Sequence, residues 1–158
     1  MHLNLRWLAV LACFLLGLAA HAAPLAVGDL LPVFSARDQH GNEFNSTNRF
    51  RFMLAVTEMA AAKAANQKLA AMGAGYLETN SAVYVMDIHT MPGIARYFAL
   101  PKMRKYPQPI VLVETAETLA AFPAQPGRVT VLTLTPGKRI QKITYWDPAA
   151  DPTAVCFQ

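Results

Sequence analysis

Arg51-Phe52-Met53-Leu54-Ala55-Val56-Thr57, followed at once by Glu58-Met59-Ala60-Ala61-Ala62 and an alanine-rich run to Met72, is the stretch that decides the fold. The first seven residues have the length and side-chain type of a strand buried within a sheet. Alanine at high density, with Lys63, Gln67 and Lys68 spaced along it, predicts a helix over 58–72, and Gly73 and Gly75 end it. A buried strand running straight into a helix is a β-α unit.

Working outward, strand character at 33–37, turn chemistry in Asp38-Gln39-His40-Gly41-Asn42 and a return at Glu43-Phe44 predict an amino-terminal hairpin. After the Thr79-Asn80-Ser81 turn, 82–88 reads as a strand. Thr90, Met91 and Pro92 then open a helix over 93–103 that Pro101 is expected to end early. Tyr106-Pro107-Gln108-Pro109 breaks the pattern before a strand at 110–114 and a short helix at 115–122. Runs at 129–135 and 139–146 flank Pro136-Gly137-Lys138 as a second hairpin. Strands alternating with helices and then pairing antiparallel predict an α/β protein, a three-layer sandwich around a central mixed β-sheet with a β-hairpin at each end.

The first 22 residues read as a secretory signal. Arg6 supplies the basic start, an apolar run follows, and Ala20-His21-Ala22 gives the small-x-small pattern, with cleavage expected after Ala22. The apolar run is shorter than the ~20 residues a membrane-spanning helix needs, so no stable membrane anchor is expected after cleavage. Val10-Leu11-Ala12-Cys13 only faintly resembles a lipid-attachment box, since Leu11 fits poorly and hydrophobicity continues through Leu18. The expectation is a periplasmic or secreted chain with one domain over 23–147 and a loose tail over 148–158.

Cys13 leaves with the signal and Cys156 stands alone, which excludes an intramolecular disulfide. Cys156 is then an inert buried residue, or a free thiol whose residual chemistry, through a mixed disulfide or a disulfide-linked dimer, is a second alternative function. The processed chain carries a net charge of about +3, 13 Lys and Arg against 10 Asp and Glu. The basic cluster of Arg96, Lys102, Arg104 and Lys105 reads as a solvated helix face, and no nucleic-acid binding is expected.

Val27-Gly28-Asp29, Pro32, Phe34 and Asp38-Gln39-His40-Gly41 resemble the opening of the alkyl hydroperoxide reductase and thiol-specific antioxidant class of peroxiredoxins. Tyr106-Pro107-Gln108-Pro109-Ile110-Val111-Leu112 is similar to that family's "YPFPxL" segment, and 128–140 to its final hairpin. The resemblance covers roughly 25–147 and implies a thioredoxin-like fold. It also implies a catalytic cysteine after the strand ending at Thr57, where this chain has Glu58 and Met59. A cis-proline is implied before Thr130, where it has Val129. Thiolate is the nucleophile of thiol-disulfide chemistry, and neither hydroxyl, carboxylate nor thioether replaces it. No catalytic residue is therefore assigned.

In a parallel α/β sheet ligands gather outside the carboxyl ends of the strands. Thr57, Glu58, Met59, His89, Met91 and the Val129-Thr130 edge are the expected contact surface, and another envelope protein is the expected partner. Asp87, His89 and Met91 are an alternative copper set, because thioether suits Cu(I) and imidazole suits either oxidation state. Most of the methionines are expected to be core filler. A hydrolytic reading fares worse, since there is no Gly-x-Ser-x-Gly elbow, and no phosphate loop or dinucleotide fingerprint occurs.

Overall fold

The computed structural model describes residues 23–150 and Phe157. The expected signal at 1–22, Cys13 and Cys156 lie outside the described residues. Seven strands form one sheet: β1 (Ser35–Asp38), β2 (Glu43–Asn45), β3 (Phe52–Val56), β4 (Ala82–Asp87), β5 (Val111–Val113), β6 (Val129–Leu134) and β7 (Ile140–Trp146). Their order is β2-β1-β5-β4-β3-β6-β7. β3, β4 and β5 are parallel at the centre, while β6 and β7 on one side and β1 and β2 on the other pair antiparallel. The two predicted hairpins thus become opposite edges of one mixed sheet.

Four helices complete the described residues: α1 (Met59–Met72), α2 (Tyr76–Thr79), α3 (Gly93–Met103) and α4 (Ala116–Ala120). All five residues of β3 are buried, because both of its faces are covered. Phe52, Leu54 and Val56 face a core layer closed by Ala61, Ala62, Ala65 and Leu69 of α1 and by the inward side of α3. Met53 and Ala55 face the other layer, closed by Leu31, Phe34, Phe44, Leu119 and Phe122. This alternation is the strand's period of two expressed as two cores. Met53, Met86, Met91 and Met103 are buried as expected of core methionines, while Met59 and Met72 are 50% and 37% exposed.

Two differences from the sequence reading have local causes. α2 was not expected, because a four-residue turn carries no periodicity to detect. Pro101 lies inside α3 and does not end it. Proline removes one N–H from the ladder, but Pro101 and Tyr97 are both exposed, so water can satisfy the carbonyl left free. In the β6–β7 turn the left-handed residue is Lys138 (φ 63°). Its ammonium lies 3.1 Å from the Phe50 ring centroid and donates to the Asn48 carbonyl. Those contacts offset the conformational cost, and burial lowers the Lys138 pKa.

The tail expected to lie loosely over the surface is docked at Phe157. Its ring is half-buried, 5.0 Å from Phe52 and 5.6 Å from Tyr76, against the α1 side of the core. Phe157→Ala is therefore expected to cost about 2 kcal/mol in urea unfolding, half the loss for a fully buried phenylalanine. An unchanged midpoint would mean that the ring contributes nothing to the core.

Asp38 shows how the first hairpin closes. One carboxylate oxygen accepts the backbone N–H groups of His40 and Asn42, and the other accepts the Asn42 amide. Burial alone would raise the Asp38 pKa, but these hydrogen bonds and the nearby His40 charge together hold it below the usual carboxylate value. A depressed folded-state pKa gives stability that is present above the unfolded value of about 4 and is lost as pH falls through the folded one. Melting temperatures measured from pH 6 to pH 3 should fall more steeply for the wild type than for Asp38→Asn.

Candidate functional site

β3, β4 and β5 end side by side. Val56 is registered with Met86, and Asp87 with Val113, so the chain leaves the sheet at Thr57, Ile88 and Glu114 along one edge. Thr57, Glu58 and Met59 are exposed there. Glu58 occupies the N-cap position of α1 in an extended conformation, but its side chain does not cap the helix. Its Oε2 accepts the backbone N–H of Gly127 at 2.9 Å, tying the start of α1 to the loop that leads into β6.

The β4–α3 loop is held from two directions. Asp87 is buried, and its Oδ1 accepts both the His89 backbone N–H at 2.8 Å and His89 Nδ1 at 2.7 Å. With the carboxylate as acceptor, His89 donates through Nδ1 and its Nε2 is left facing outward on a side chain 33% exposed. From the helix side, Arg96 donates through Nη2 to the Ile88 carbonyl at 2.8 Å and through Nε to the Met91 carbonyl at 3.1 Å. The same guanidinium lies 3.5 Å from Glu114 at the end of β5. Neither Arg96 nor Gly127 was singled out for this role in the sequence, because each acts through backbone atoms that carry no motif.

The structure brings Thr57, Glu58, Met59, Asp87 and His89 to one edge of the sheet. It does not bring Met91, Val129 or Thr130 to that surface. Met91 is 9% exposed and belongs to the core. Val129 and Thr130 are 0% and 3% exposed, because β6 lies between β3 and β7 and offers no free edge. The Thr130 hydroxyl is spent on the Pro123 carbonyl. The expected Val129-Thr130 contact edge is therefore replaced by the exposed 124–128 loop that Glu58 holds.

No cis peptide bond occurs among the described residues, in keeping with Val129 at the position where the resemblance implies a cis-proline. His40 sits at the opposite end of the sheet, since Asp38 is registered with Val111 at the start of β5. Among the described residues no group of three or more His, Cys, Asp or Glu side chains is arranged to hold a metal ion. With Met91 in the core, Asp87 and His89 remain of the expected copper set. The surface offers one imidazole, a tied carboxylate, a hydroxyl and a thioether. That is chemistry suited to contact and hydrogen bonding.

No protein-family model matches the sequence, and no curated protein matches it. Solved structures do. A hypothetical protein from Sinorhizobium meliloti 1021 superposes with a TM-score of 0.55 at 15% identity, over 84% of this chain and 79% of that one. A peroxiredoxin-like protein from Aquifex aeolicus gives 0.54 at 10% identity, over 79% and 78%. The thioredoxin domain of a thiol-disulfide oxidoreductase from Bacteroides vulgatus gives 0.52 at 13% identity, over 78% and 92%. At these identities the likeness is one of fold: the chain has a thioredoxin-like fold, as do these oxidoreductases and peroxiredoxin-like proteins.

Proposed function

We propose that this thioredoxin-fold chain is exported and binds or assists a second protein of the cell envelope through the carboxyl edge of β3 and β4, with no thiol chemistry at that edge. The observation that carries the reading is the bracing of an exposed surface. Glu58 fixes the 124–128 loop through Gly127, Asp87 fixes His89, and Arg96 fixes the carbonyls of Ile88 and Met91. Loops ordered before docking lose less conformational entropy on binding. Met59, half-exposed where a redox relative would carry its thiol, gives the surface an adaptable apolar contact.

Copper held at His89 is the second reading. The Asp87–His89 pair favours it, because metal-ligating imidazoles commonly donate their other N–H to a carboxylate. It requires ligands beyond His89 that the described residues do not assemble.

Co-purification from the producing cells separates protein docking from thiol capture. The partner should be retained by the wild type and by Cys156→Ser in the presence of reductant, and lost with Thr57→Arg. A partner released by reductant, or retained unchanged by Thr57→Arg, would contradict docking at this edge. Stoichiometric Cu(I) or Cu(II) bound by the wild type and lost in His89→Ala would move the account to the second reading.

A further inference from the structure

α3 is apolar on both sides. Ala95, Ala99, Leu100 and Met103 pack inward onto the core. Ile94, Tyr97 and Phe98, spaced i, i+3 and i+4, form an outward stripe that is 74%, 74% and 61% exposed. The two aromatic rings stand edge to face with centroids 5.4 Å apart. A helix apolar all round is normally buried on all sides, and here one face is bare. Pro101 and Lys102, both exposed, continue the stripe one turn on, and Lys105 follows just beyond the helix.

The charge on the segment that carries the stripe is one-sided. Between Asp87 and Glu114 the chain carries Arg96, Lys102, Arg104 and Lys105 and no carboxylate. Arg96 is engaged with Glu114 and the β4–α3 loop, and Arg104 donates to the Gln39 carbonyl. Lys102 and Lys105 have no ion-pair partner among the described residues.

These facts discriminate between occupants. A second copy would bury roughly 400 Å² per chain from three side chains of this size, or about 800 Å² in all, short of the ~1,200 Å² at which specific interfaces begin. It would also bring the unpaired Lys102 and Lys105 of each copy to a helix that carries no carboxylate of its own. A lipid surface needs no shaped groove. It takes a convex aromatic stripe at the level of the headgroups, and it supplies anionic phosphates to lysines at the stripe's end.

We propose that the outer face of α3 is a peripheral lipid-binding surface that docks reversibly on anionic bilayers through Ile94, Tyr97 and Phe98, with Lys102 and Lys105 on the headgroups. The proposal is independent of the carboxyl-edge reading and survives its failure.

The test uses the full chain carrying a solvatochromic amino acid at position 98, so that the signal comes from the stripe and not from apolar residues elsewhere. Emission is read with vesicles of phosphatidylcholine alone and of phosphatidylcholine with phosphatidylglycerol. The expected result is a blue shift on the anionic vesicles alone. Added salt should reverse it, Lys102→Glu with Lys105→Glu should abolish it, and Ile94→Ser with Tyr97→Ser should weaken the apparent affinity about tenfold or more. The same probe at position 72, on the exposed end of α1, should not shift. No shift on either vesicle, an equal shift on both, or an equal shift at position 72 would overturn the proposal. A concentration-dependent shift without vesicles would overturn it in favour of self-association. A shift with polyglutamate but not with vesicles would overturn it in favour of an acidic protein partner. Circular dichroism of each variant confirms that the fold is intact.

Discussion

Gln39→Leu is expected to lower the unfolding free energy by about 4 kcal/mol, a large share of the roughly 5–15 kcal/mol that holds a domain of this size together. Gln39 is 2% exposed. Its Oε1 accepts the Ile110 backbone N–H at 2.7 Å and its Nε2 donates to the Gln108 carbonyl at 2.8 Å. The side chain thus satisfies two backbone groups where the chain enters β5, and Ile110 is itself wholly buried. Leucine fills similar space but leaves both groups unpaired, at about 1–3 kcal/mol each.

Gln108→Leu is the matched comparison. Among the described residues the Gln108 side chain makes one hydrogen bond, Nε2 to the Asn66 carbonyl at 3.1 Å, and its Oε1 has no partner there. It should cost about 1–2 kcal/mol. Equal losses in urea unfolding for the two variants would contradict this division of roles.

Arg96→Met carries the second large effect, expected near the candidate site. The substitution keeps much of the aliphatic stem and removes the guanidinium that holds the Ile88 and Met91 carbonyls and pairs with Glu114. Hydrogen bonds from a charged donor contribute about 1.5–3 kcal/mol when well shielded, and the Arg96 side chain is 27% exposed, so a total loss of about 2 kcal/mol is expected. Hydrogen exchange should locate the effect, with faster exchange at 88–92 and unchanged exchange in β3 and β6. Arg96→Lys should restore little, because one ammonium cannot reproduce the fork that reaches two carbonyls and a carboxylate. Uniform loosening across the sheet, or full rescue by lysine, would contradict the assignment.

The fold was readable where the sequence carries period and punctuation. The apolar run before Thr57, the alanine-rich helix ended by Gly73, and the turn at Pro136-Gly137-Lys138 each announce an element by local chemistry, and all three stand in the structure. What was not readable is long-range. Gln39 sits in a turn that looks solvent-facing, and its burial comes from a segment about 70 residues later. Glu58 looks like an ordinary helix start, and its tie to Gly127 spans 69 residues.

The same limit shaped the site. Strand order places the ends of β3 and β4 together, as the β-α pattern implies, so Thr57, Glu58, Met59, Asp87 and His89 lie at one edge. Val129 and Thr130 were placed on the surface because a strand's residues do not reveal which side chains the layers will cover: Val129 joins the core on the α1 side, and the Thr130 hydroxyl turns to the Pro123 carbonyl. Met91 was assigned to the surface by its neighbours in sequence, whereas the turn after His89 sends its side chain into the core.

The central claim is that the carboxyl edge of β3 and β4 meets another protein directly, and site-specific photo-crosslinking tests it. A benzophenone amino acid placed at position 59, half-exposed at that edge, is compared in the producing cells with the same probe at position 72 at the far end of α1. The account predicts a discrete crosslinked species from position 59 that persists in Cys156→Ser, weakens with Thr57→Arg and is absent from position 72. No adduct from position 59, or the same adducts from both positions, would contradict it.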